Sequence, residues 1–145
     1  MTALQRTETA MSWCEEFIDA FNTHQVEPMQ AICSPHIKWE DVSGHIEFEG
    51  HEGVKNMVEI TLMAVPDCKF THHGGMKEGN RYMVEWTMSG TAFDIEFACR
   101  GASVGETDDE GRIVHNRDYW DSRSFPMMPG GPVNPSLEEL QAEHS

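Results

Sequence analysis

The apolar residues of this chain change their spacing once, and that change limits the fold more than any single motif. Before Val65 they recur at helical intervals; from Lys69 onward they alternate in four runs. Met11, Cys14, Phe17, Ile18 and Phe21 form one stripe, widened by Trp13, and predict a helix over residues 8–24 capped by Thr7 or Thr9. A second helix is expected over 27–34, with Pro28 in its first turn and Pro35 closing it. Short strands over 37–42 and 45–49 flank a Ser43-Gly44 turn. A third helix spans 52–63 and buries Val54, Met57, Val58, Ile60 and Leu62. The alternating runs are Lys69–His73, 81–91, Phe93–Ser103 and 112–123, with the glycines at 74–75 and 130–131 read as loops. Helices followed by strands is an α+β order, with the helices packed on one side of a sheet.

Length and charge narrow the function classes. A chain of 145 residues suits one core and one cavity. A net charge of −15 argues against nucleic acid and anionic membrane as partners, because both require basic patches. No apolar run approaches the ~20 residues of a membrane span, and Met1–Glu8 lacks the basic and apolar regions of a signal peptide. Cys14, Cys33, Cys68 and Cys99 are scattered, which fits reduced core thiols and a cytoplasmic protein. No metal or other cofactor is expected: His72 and His73 face opposite ways on a strand, and nothing else has ligand spacing. After Phe125 the chain turns proline- and glycine-rich, so residues 1–125 are expected to form the domain and 126–145 a tail, with a short helix over 136–143.

The last alternating run carries the most chemistry. Val114, Asn116, Asp118, Trp120 and Ser122 share one face of it; His115, Arg117, Tyr119, Asp121 and Arg123 share the other. An aspartate between Asn116 and Trp120 in an inward row is costly unless it works or is paired. The structural alternative is an ion pair with Arg81, Arg117 or Arg123.

The string Gly111-Arg-Ile-Val-His-Asn-Arg-Asp-Tyr-Trp-Asp resembles the last strand of nuclear-transport-factor-2-like proteins, in particular the SnoaL-like polyketide cyclases and the limonene-1,2-epoxide hydrolases. Further anchors are Glu16–Phe21, Pro35–Trp39, Gly50-x-x-Gly53-Val54 and Gly79–Trp86. The resemblance implies a cone-shaped roll in which a curved, mostly antiparallel sheet wraps three N-terminal helices around a ligand pocket. It implies that Asp118 is the acid–base aspartate and that the pocket is lined by Val84, Trp86, Met88, Phe97, Cys99, Asn116 and Trp120. The first and third helices would add Trp13, Phe17 and Met57, and the early strand Trp39 and Asp41 at the mouth. The other sheet face, with Met83, Thr87, Ala98 and Arg100, would make a homodimer.

The departures matter as much. The epoxide hydrolases' Arg-x-Asp pair is matched by Trp86 and Met88, and their Tyr-x-Asn by Trp39 and Asp41, so epoxide hydrolysis is not expected. The cyclases' histidine has no clear counterpart; His72, His73 and His115 are the candidates to stand near that position. Asp41 and Asp118 imitate the base and oxyanion-holding acid of ketosteroid isomerases. Two readings follow: a cofactor-independent acid–base enzyme (cyclase, isomerase or dehydratase) acting on a small hydrophobic polyketide-, steroid- or terpenoid-like molecule, or a non-catalytic small-molecule binder or interaction module.

Overall fold

The computed structural model describes residues 12–134. Three helices come first or early: α1 (Trp13–Asn22), α2 (Val26–Ala31) and α3 (Gly50–Ala64). The strands are β1 (Cys33–Asp41), β2 (Ile46–Glu49), β3 (Lys69–Glu78), β4 (Arg81–Ala92), β5 (Ile95–Thr107) and β6 (Ile113–Trp120). They form one sheet in the order β2-β1-β6-β5-β4-β3. Every neighbouring pair is antiparallel except β1 with β6, which run parallel. The result is the expected α+β roll: an open, curved, mixed sheet with the helices on its inner face.

Local chemistry sets the element ends. Ser12 caps α1, its Oγ accepting from the Glu15 N–H at 3.1 Å, while the Thr7 and Thr9 positions lie outside the described residues. The helix ends at Asn22, two residues before His24 takes a left-handed φ of 58°. Pro35 does not close the second helix; it lies inside β1. The ladder to β6 is broken between Cys33 and Lys38, so the N–H that proline lacks is not required there. The Gly74-Gly75 pair is likewise strand, within β3 and beside a register shift between His72 and Gly74. A Cβ on Gly75 would press on the Cys14 side chain of α1, so the glycine lets that helix lie directly on the sheet. Phe93-Asp94 is a two-residue hairpin turn with φ of 52° and 61°, closing Ala92 against Ile95. Ile60, expected to be buried, is exposed and lines the cavity.

The core is aromatic. Phe17 stacks on Trp39 with centroids 6.1 Å apart and planes at 5°, and it tilts against Tyr82 at 5.7 Å. Trp13 leans on Tyr82 at 4.6 Å and donates its indole N–H to the Gly111 carbonyl at 3.0 Å. All four cysteines are buried free thiols. Tyr82 and Trp86 of β4 fit because the inward row of β5 facing them is Gly101, Ser103, Gly105. A Cβ on Gly101 would overlap the Trp86 ring, and one on Gly105 the Tyr82 ring and the His115 carbonyl.

Asn22 fastens the edge strand β3. Its amide donates to the Phe70 carbonyl at 2.8 Å and accepts the Phe70 N–H at 2.8 Å, standing in for a neighbouring strand. We predict that Asn22→Ala lowers stability by about 1–2 kcal/mol in urea unfolding, because both groups of Phe70 lose their partner. Asn22→Asp should recover part of that loss; no change in either variant would show that the clamp adds nothing.

Candidate active site

The parallel pairing of β1 with β6 builds the site. It sets Trp39 beside Asn116 and Asp41 beside Asp118, all on the inner face. The two indoles then reach across diagonally. Trp39 Nε1–H donates to Asp118 Oδ2 at 2.8 Å, and Trp120 Nε1–H donates to Asp41 Oδ1 at 2.7 Å. Each carboxylate is therefore held by a tryptophan from the opposite strand. Asp41 Oδ1 also accepts the Gly44 N–H at 2.9 Å, which fixes the turn after β1.

Asp118 has two further donors, both on Oδ1: the Ser103 hydroxyl at 2.6 Å and the Asn116 amide at 2.8 Å. Both are oriented from behind. Trp86 Nε1–H donates to Ser103 Oγ at 2.9 Å, so that hydroxyl spends its proton on Asp118. Tyr82 O–H donates to Asn116 Oδ1 at 2.6 Å, which turns the Asn116 amide toward the carboxylate. Among the described residues no arginine meets Asp118: Arg117 lies on the other sheet face, paired with Glu106 at 3.1 Å. Ser103 escaped the sequence reading, although it stands in a Gly101-x-Ser103-x-Gly105 string. That string is mid-strand rather than at the strand-to-helix bend of a serine nucleophile.

A cavity of about 320 Å³ opens over this pair. Of the residues anticipated for it, Trp39, Asp41, Met57, Trp86 and Met88 line its wall, as do Cys99, Asp118 and Trp120. Trp13, Phe17, Val84 and Phe97 do not. Phe17 and Val84 are buried in the core, Trp13 covers Tyr82, and Phe97 backs Phe125 at 4.9 Å. Asn116 is buried behind Asp118 rather than in the wall. Unanticipated lining comes from Phe21, Phe70, Thr61, Phe125 and Met128. The last two follow β6: a 3-10 turn over Ser122–Ser124 carries Phe125 onto Trp120 at 5.6 Å. Pro126 is fully buried, so the chain past 125 contributes to the site; residues 136–143 lie outside the described residues.

The model of the SnoaL-like domain matches residues 14–116, ending just before Asp118. The chain belongs to the SnoaL-like domain family. No curated protein matches it. Solved structures share the fold at low identity. A hypothetical protein with a ketosteroid-isomerase-like fold from Catenulispora acidiphila, crystallised with trimethylamine, is 16% identical with a TM-score of 0.74 over 83% of this chain and 94% of that one. A putative SnoaL-like polyketide cyclase from Shewanella denitrificans is 13% identical, TM-score 0.66, over 90% and 95%. TerC, co-crystallised with polyporic acid, is 15% identical, TM-score 0.66, over 75% and 88%.

In this SnoaL-like domain the three nearby histidines lie off the cavity wall. His115 Nε2 meets Glu40 at 2.6 Å on the outer sheet face, and His73 meets Thr87 there at 2.6 Å. His72 faces inward opposite Trp86, with Nε2 buried and without a partner among the described residues. The carboxylates thus carry the cavity's ionisable chemistry. Burial pushes the Asp118 carboxyl up to about 6, opposed by its hydrogen bonds from Ser103, Asn116 and Trp39 and reinforced by the charge of Asp41. Burial also raises Tyr82, which acts here as a neutral donor. The thiol of Cys99, pushed up to about 11 by burial, gives its proton to the Asp121 carbonyl at 3.2 Å and is a poor nucleophile.

A raised carboxyl makes the folded state bind a proton that the unfolded chain, near ~3.9, has released. Its stabilising contribution is complete below pH ~4 and is lost as pH rises through about 6. Asp118→Asn should remove this dependence at a fixed cost, because the asparagine nitrogen would face the Trp39 N–H, donor against donor. Between pH 4 and 7 the parent should therefore lose roughly 1–3 kcal/mol relative to the variant. Parallel pH profiles of chemical unfolding for the two proteins would show that Asp118 does not titrate in this range.

Proposed function

We propose that this SnoaL-like protein is a cofactor-independent acid–base enzyme of cyclase, isomerase or dehydratase type, acting on a small hydrophobic molecule. The observation that carries the reading is the state of Asp118. Its carboxyl is raised to about 6, faces an apolar cavity, and is held by donors that leave one lone pair on Oδ2 unspent. A general base works best when it titrates near the operating pH. Asp118 takes a proton from an acidic C–H or O–H of the substrate, and the same carboxyl returns it where the product requires. Trp39, Ser103 and Asn116 stabilise the carboxylate before the first step and after the second, without competing for the proton, because each donates to it. Asp41, one strand spacing (~4.8 Å) away on the same face, is the second acid of the site. The cavity volume of about 320 Å³ lies at the small end of the ~300–1,000 Å³ typical of ligand sites, which favours one or two fused rings over an extended polycycle.

The test does not depend on the identity of the product. Small cyclic ketones, enones and phenols are incubated with the protein in deuterated water, and deuterium incorporation is followed by mass spectrometry. Exchange above the buffer rate is expected for at least one class, and Asp118→Asn should reduce it by ~10²–10⁴-fold when corrected for folded protein. Exchange that survives the substitution removes Asp118 from the mechanism. Absence of exchange with every probe favours a non-catalytic binder.

We also propose a homodimer through the outer sheet face, where Met83 is 54% and Tyr119 46% exposed beside Ala98 and Arg100. Sedimentation velocity at micromolar concentration should give a dimer that Met83→Glu dissociates; a monomeric parent would rule this out.

A further inference from the structure

The cavity's polar groups are unbalanced in sign. The indole N–H groups in its wall are spent on protein acceptors: Trp39 on Asp118 at 2.8 Å, Trp86 on Ser103 at 2.9 Å and Trp120 on Asp41 at 2.7 Å. The Thr61 hydroxyl is spent on the Met57 carbonyl at 2.8 Å, and no lysine, arginine or histidine among the described residues lines the space. What is left for a ligand is carboxylate oxygen and aromatic face. Asp41 Oδ2 accepts no hydrogen bond among the described residues, since both of its donors use Oδ1.

Aromatic rings line the same cavity as that oxygen. Phe21 and Phe70 are 4.7 Å apart, Phe70 meets Trp86 edge-on at 5.3 Å, and Phe125 closes over Trp120 at 5.6 Å. With their N–H groups spent, these tryptophans have only their rings to offer a ligand, and the face of an indole is the strongest side-chain site for a cation. Two carboxylates on adjacent strands share this wall with no protein cation between them among the described residues. A positive ligand relieves their repulsion; an anionic one meets it. The net charge of −15 adds long-range attraction of the same sign.

We propose that the ligand of this cavity is an organic ammonium ion, its cationic head seated against Asp41 and the tryptophan faces and its apolar substituent toward Met57 and Phe70. This names the ligand class of the same cavity. It rests on the cavity being the ligand site of the acid–base reading, but not on proton transfer at Asp118. The substrate's reacting atom then lies within about one strand spacing of its nitrogen, because Asp118 neighbours Asp41.

The test compares benzyltrimethylammonium with its uncharged isostere neopentylbenzene by tryptophan fluorescence titration. The parent protein should bind the cation at least about tenfold more tightly than the isostere. Asp41→Asn keeps one oxygen for both Trp120 and Gly44, so it preserves the turn while removing the charge. It should lower the tenfold preference severalfold. Asp118→Asn should lose deuterium exchange yet retain a preference for the cation, which separates the two proposals. Equal affinity of the parent for cation and isostere, no binding of the cation at millimolar concentration, or an unchanged preference in Asp41→Asn would each overturn the inference. Should Asp41→Asn fail to fold, the parent's cation-to-isostere ratio decides it alone.

Discussion

Placing a carboxylate beneath tryptophan rings is unfavourable by several kcal/mol unless donors replace the water it loses. Asp118 meets that condition with three neutral donors and, among the described residues, no cation. Had Arg117 turned inward, the carboxyl would be a permanent anion and the site would lose its exchangeable proton. Instead Arg117 is engaged by Glu106 on the opposite face. Neutral donors offset only part of the desolvation, which is why the carboxyl settles near neutrality rather than at either extreme.

Supplying those donors requires space. Ser103 and Asn116 are aimed by Trp86 and Tyr82, two large side chains that cross from β4 over β5. They can do so only because Gly101 and Gly105 leave gaps on either side of Ser103 in the inward row. The glycines of β5 therefore act on the chemistry of Asp118 from two shells away. Enlarging either would displace an aromatic ring before it touched the acid.

Much of this is readable from alternation alone. Asn116, Asp118 and Trp120 do share a face, and Trp39 and Asp41 share theirs, because a period of two fixes which side a strand residue takes. Alternation does not give depth along the roll. Val84 is on the inner face as expected, yet it is buried in the core and does not line the cavity. Nor does it give register: Ser103 is small and polar in an otherwise ordinary strand, and only the pairing of Ser103 with Asp118 reveals its role. The Phe93-Asp94 turn carries no glycine or asparagine signal, so alternation places both ends of β5 too early. Composition puts Phe125 and Met128 at the edge of a tail, whereas a single 3-10 turn brings them back over the cavity.

The parallel contact between β1 and β6 has a kinetic side. Trp39 and Asp118 are 79 residues apart in the chain, as are Asp41 and Trp120. Closing so long a loop costs entropy before any contact repays it, and pairings of this separation form late. During synthesis β1 can pair with β2 at once, but Trp39 and Asp41 must wait for Asp118 and Trp120 until β6 emerges. The helices and the β3–β4–β5 meander can assemble first, since their contacts are local. A molecule caught at that stage would have most of its secondary structure and no cavity wall on one side, so recovery of the Asp118 pair should be the last event of refolding.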